Sequence, residues 1–226
     1  MSIVICYFDS SLCTMNTSEK KAIIFKILSR IVVYGLLMGL LYQLMFLDAG
    51  QKGQEMKFME STFTEWTQQV ILLMMAAIFA HCAYHFSHMR CLSIILAGIA
   101  ATGLVREYNN FFNDRVFDGA WQLLALMTII VTGILGWKHR KDFWQELGKY
   151  YNSLSFGLLL AGFLTTFIFS RLFGKTVFWE TLMEERYFRS VKNAAEECVE
   201  LLGYGLLLAA TAEFYLFVRS TKTNTI

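Results

Sequence analysis

Proline is missing altogether from the 226 residues. At an average usage of about 5% such a chain would carry roughly eleven. Proline is common where membrane helices kink or break, so its absence predicts straight helices and argues against a transporter built on broken ones. Charge is also scarce. Asp, Glu, Lys and Arg make up 17% of the chain, against about a quarter in an ordinary soluble domain. The net charge of +2 gives no reason to expect nucleic acid as a partner. The five cysteines, Cys6, Cys13, Cys82, Cys91 and Cys198, form no CxxC pair; their odd number and irregular spacing imply unpaired thiols, not a disulfide framework. GxSxG, Walker A, HExxH and GxGxxG motifs are all missing, so no catalytic residue is identified and an enzyme is the less favoured reading.

What the chain has in place of charge is apolar length. Hydrophobic residues make up 56% and mean hydropathy is +0.45. They are gathered into blocks that approach the roughly 20 residues needed to cross a bilayer as a helix. Six spans are expected, over 23–47, 66–86, 91–105, 121–137, 154–173 and 194–218. The third, at fifteen residues, crosses only if its helix continues into the neighbouring turns. Trp66, Trp121 and Trp137 stand at span ends, where interfacial tryptophans gather. The fold class is therefore an all-α integral membrane protein with about six transmembrane helices in one bundle, formed by residues 21–220. Residues 1–20 are an N-terminal tail, in which 1–14 read as either an over-extended start or a disordered segment, and 221–226 are a C-terminal tail.

The basic residues set the orientation. The tight block Lys138-His-Arg-Lys141 directly follows the fourth span. By the positive-inside rule this places both termini in the cytoplasm of a cell membrane, read as a bacterial inner membrane. The acids then divide sharply: thirteen of eighteen fall on the outer side, so chemistry is sought there.

Three groups stand out. Glu196, Glu197 and Glu200 lie on one side of the last span, with Tyr204 continuing that face. Such spacing crowds like charges, which Lys192 can relieve in part. Acids near a helix start suit the macrodipole, but Glu200 lies a turn deeper, and an ionisable group within a span is a functional candidate by default. Arg106 and Glu107 end the short third span. If that helix continues outward, Glu107, Asn110, Asp114 and Asp118 form one stripe of oxygen ligands, although a solvated face is the simpler account of Asp114 and Asp118. Glu65 opens the second span as either a helix-start acid or a third contributor. Oxygen ligands of this kind suit a divalent cation or a proton entry site.

His81, His85 and His88 are spaced for one face of the second span. Three imidazoles on one helix can ligate a transition metal, but interfacial histidines are the commoner case, and haem is disfavoured because the remaining histidine, His139, follows another span at the interface. Three functions are therefore open. The first is an ion, proton or small-solute transporter or ion-binding protein using Glu65, Arg106, Glu107, Glu196, Glu197 and Glu200. The second is a non-enzymatic membrane subunit or sensor, with a membrane-protein partner or a second copy docking on small-residue stretches such as Ala97–Gly103 and Gly203-Tyr-Gly205. The third is a metal-dependent enzyme acting on lipid within the bilayer.

Overall fold

The computed structural model describes residues 16–50 and 62–223, and among these it contains helices and no strands. The expected tail over 1–14 and most of the loop after the first span lie outside the described residues. Six helical stretches are long and apolar enough to cross a membrane. They are α1 (Thr17–Ala49), α2 (Phe63–His85), α3 (Arg90–Glu107), α5 (Ala120–Lys138), the α7–π–α8 run, and α10 (Arg189–Thr223). The α7–π–α8 run comprises α7 (Leu154–Phe163), a π-helical segment (Leu164–Phe169) and α8 (Ser170–Phe173). Shorter helices are α4 (Asn109–Arg115), α6 (Phe143–Tyr150) and α9 (Thr176–Met183). The third span gains the turns it needed: a 3-10 turn, Ser87–Met89, leads into α3, and the apolar stretch runs from Ser87 to Glu107.

The chain divides into two units, Met1–Leu40 and Leu41–Ile226. The described part of the first unit is one helix with exposed apolar side chains such as Phe25 and Leu36. In the second unit α2 and α3 form a helical hairpin, α5 packs on the free side of α3, and α10 packs on α2 and α7. Neighbours therefore run α5, α3, α2, α10, α7. Its two ends, α5 and α7, are consecutive long helices with the short α6 between them, but they do not pack extensively on one another.

Distant carboxylates start two of these helices. Asp48 is fully buried and accepts from the backbone N–H groups of Phe63 (2.9 Å) and Thr64 (2.7 Å) and from the Thr64 hydroxyl. Glu146 of α6, also buried, accepts from the N–H groups of Cys91 (3.2 Å) and Leu92 (2.7 Å) at the start of α3. The first turn of a helix has N–H groups with no intrahelical partner, and a carboxylate also meets the positive end of the macrodipole there. Burial, opposed by these two N–H bonds, raises the Glu146 carboxyl above its ordinary value. Near it Tyr150 meets the Ser155 hydroxyl at 3.1 Å, and Ser155 donates to the Ala210 carbonyl at 2.8 Å, tying α6 to α7 and α10. Burial pushes the Tyr150 hydroxyl up to about 12.

The small-residue stretches are used inside the unit. A Cβ on Gly98 would strike Thr132 of α5, and one on Gly203 would strike Thr166 of the π segment. Small residues at such crossings let backbones approach closely. One span departs from regular α-helical winding without any proline, at the π segment. A π turn inserts residues into a helix without proline and is often found at functional sites. It seats Thr166, fully buried, against Gly203.

Candidate functional site

At the end of the second unit opposite Glu146, four elements bring charged side chains together. α3 ends in Arg106-Glu107. Nη2 of Arg106 lies 2.9 Å from Oε1 of Glu107 and 3.7 Å from Oε1 of Glu200 on α10. The same Glu107 oxygen accepts from the Tyr204 hydroxyl at 2.9 Å. Arg171 of α8 reaches Glu196 at 3.3 Å and Glu200 at 3.5 Å. Lys192 pairs with Glu196 at 2.8 Å, one turn away on α10. From α2, the Gln68 amide donates to Glu197 at 3.1 Å.

Glu107, Glu196, Glu200 and Tyr204 thus come from two helices and meet in one network through Arg106 and Arg171, while Glu197, on the second of these helices, is held by Gln68. Glu200 and Tyr204 are buried and Glu107, Glu196 and Glu197 are half-buried. Glu65, half-buried on α2, contributes to the field at Glu197 together with Glu107 and Glu196. The helix-start account of Glu196 and Glu197 fails. α10 begins at Arg189, so both lie beyond its first turn, where the macrodipole effect has faded.

The partners of these carboxylates are unequal. Glu107 faces Arg106, Glu200 lies between Arg106 and Arg171, and Glu196 faces Arg171 and Lys192. Glu197 is the exception, because its hydrogen-bond partner is the neutral amide of Gln68. Glu107, Glu196, Glu197 and Glu200 outnumber Arg106, Arg171 and Lys192 by one, and Glu65 adds to the excess.

The outward stripe of oxygens does not form. α3 stops at Glu107, the helical pattern is interrupted at Tyr108, and α4 follows for seven residues. Asp114 is exposed on α4 and Asp118 is exposed in the turn before α5, where the Asn113 side chain accepts from Gly119 N–H. Asn110 falls in α4, but its side chain lies outside the described residues. The histidine stripe is also broken. His81 and His85 are adjacent on α2, with ring centroids 4.3 Å apart, but α2 ends at His85 and His88 belongs to the following 3-10 turn. Among the described residues no group of three or more His, Cys, Asp or Glu is placed to hold a metal ion.

Sequence reading missed Gln68 and Arg171. A polar pair, Gln68-Gln69, inside an apolar block was the available signal for the first, since burial of such groups requires partners. Arg171 gave none, because its position depends on the π segment before it. No protein-family model matches the chain, and no curated protein or solved structure was found to be similar to it.

Proposed function

We propose that the chain is an integral membrane protein with six spanning helices and both termini in the cytoplasm, as in a bacterial inner membrane. In this reading the cluster on the outer face takes up a proton or a small cation in the course of transport. The observation that carries it is the charge count around Arg106. Glu107 and Glu200, from different helices, share one guanidinium nitrogen, and Glu197 has only a neutral partner. A half-buried network with carboxylates in excess favours a positive charge from outside, and ionisable groups within spans mark ion and proton pathways. Glu197 is the acceptor, and Arg106, Arg171 and Lys192 hold the remaining carboxylates in place.

The test is proton or cation flux into proteoliposomes, comparing the native chain with Glu197→Gln and Glu200→Gln. Glu197→Gln removes one excess charge, and flux is expected to fall by about tenfold or more, a loss comparable to one strong charged interaction. Flux unaltered by both substitutions would remove the cluster from any transport role. The subunit reading loses part of its support, because Gly98 and Gly203 are used within the unit itself.

A further inference from the structure

Where α5 ends, the chain turns basic. Lys138, Arg140 and Lys141 fall within four residues, and Lys149 lies two turns on along α6. All four are exposed. Among the described residues none of them forms an ion pair or a side-chain hydrogen bond, whereas Arg106, Arg171 and Lys192 at the other end of the unit are all paired. The acids between Lys138 and Lys149 are Asp142 and Glu146. Glu146 is buried and holds the N–H groups of Cys91 and Leu92, which leaves Asp142 against four cations.

Two tryptophans stand among these cations. Trp137 is 69% exposed and Trp144 is 76% exposed. An indole turned outward is costly in water but suits the bilayer–water boundary, which accommodates both its apolar ring and its N–H. α6 is divided accordingly. Its inner face, Glu146 and Tyr150, is tied to α3, α7 and α10. Its outer face carries Trp144 and Gly148, flanked by Lys141 before it and Tyr151 after it, all exposed. A helix fastened along one side, with aromatic and basic residues on the other, is suited to lie in the interface plane.

Arg140 is the best placed of the cations. Its Cζ lies 3.7 Å from the centre of the Trp137 ring. Stacking occupies the face of the guanidinium and leaves its edge, with all its N–H donors, open for a planar two-pronged contact with phosphate.

We propose that this platform at the α5–α6 junction binds the headgroup of an anionic phospholipid, with the phosphate on the edge of Arg140, Lys138 and Lys141 beside it, and Trp137 and Trp144 at headgroup level. The inference rests on the membrane placement proposed above, not on transport. Unpaired positive charge selects an anion. The interleaved tryptophans, and the start of the basic run at the last residue of a span, select a lipid over a soluble acidic segment. Each cation near an anionic membrane surface strengthens binding roughly fivefold.

Native mass spectrometry of the purified full chain, titrated with phosphatidylglycerol or phosphatidylcholine, counts the lipid bound. The native chain is expected to prefer phosphatidylglycerol by about tenfold or more, and the preference shrinks as salt is raised. Arg140→Gln lowers it about fivefold, and Lys138→Gln, Arg140→Gln and Lys141→Gln together abolish it. Trp144→Ala weakens both lipids by about fivefold, the worth of an indole taken from water. All these side chains are exposed, so the unfolding temperature in detergent stays at the native value. Inorganic phosphate added at constant ionic strength does not displace the lipid, and a soluble polyglutamate peptide binds at least about tenfold more weakly than phosphatidylglycerol.

Equal retention of both lipids by the native chain, an unchanged preference in the triple variant, or lipid binding untouched by Trp144→Ala would each overturn the proposal. Displacement by phosphate alone would reduce the platform to an anion site, and peptide binding as tight as lipid binding would give it to an acidic protein; either result overturns the lipid. Glu197→Gln keeps the lipid preference even where it lowers flux, and the triple variant keeps flux, so the two readings fail separately. Recovery of the chain in a detergent-free carbonate extract would overturn both.

Discussion

Buried carboxylates sit at both ends of the second unit, and they do opposite things. At one end Glu146 accepts two backbone N–H groups and starts α3. At the other, Glu107, Glu196, Glu197 and Glu200 meet side chains of α2, α3, α8 and α10. The first arrangement is complete within the protein: the donors are fixed dipoles whose number does not change with conditions. The second balances side-chain charges, and the carboxylates are in excess. Burial alone therefore does not distinguish the two kinds of acid. The nature of the partners does.

That contrast can be broken at the Glu146 end most severely. Glu146→Ala leaves two donors at the start of α3 without acceptors and should cost on the order of 3 kcal/mol, read as a lowered unfolding temperature in detergent. Gly203→Ala comes next. Its new methyl meets Thr166, including backbone atoms that cannot swing aside. Overpacking of this kind costs about 2 kcal/mol, and because Arg171 follows the π segment, flux should fall with stability. Gln68→Leu is milder. It removes the one neutral donor to Glu197 for about 1 kcal/mol, and it should alter the cation dependence of flux while leaving the unfolding temperature nearly intact. A large stability loss with unchanged flux would make Glu197 a structural acid like Glu146.

The smallest effect is one of pH. Burial holds Glu146 above its ordinary value of 4.5, so between that value and the raised one the native state retains a proton that the unfolded chain releases. Stability from this group is present below 4.5 and is lost as pH rises through the raised value. In Glu146→Gln that part of the slope should vanish from thermal melts taken at a series of pH values. A slope that survives must come from other groups.

The six apolar helices were legible because length and hydropathy are local properties, while the short third span reaches its length only with the Ser87–Met89 turn before it. The gathering of Glu107 with Glu200 and Tyr204 was foreshadowed by acids at matching depth in separate spans. Three things were not legible. The break at Tyr108 scattered the expected oxygen stripe, and nothing in Arg106-Glu-Tyr-Asn marks it, since none of those residues forbids a helix. The helix-starting roles of Asp48 and Glu146 depend on folding partners 15 and 54 residues away. Arg171 owes its place to a π turn, and such turns have no composition of their own.

The π segment has a further consequence for heredity as well as for shape. Since it amounts to surplus residue in an otherwise regular rod, a deletion of one codon between Leu164 and Phe169 would be absorbed by restoring ordinary winding, with α7 left as it is. Everything after it would keep its facing, because the wide turn holds its surplus residue without turning the rod. Arg171 would stay beside Glu196 and Glu200, and the change would fall on the seat of Thr166 against Gly203.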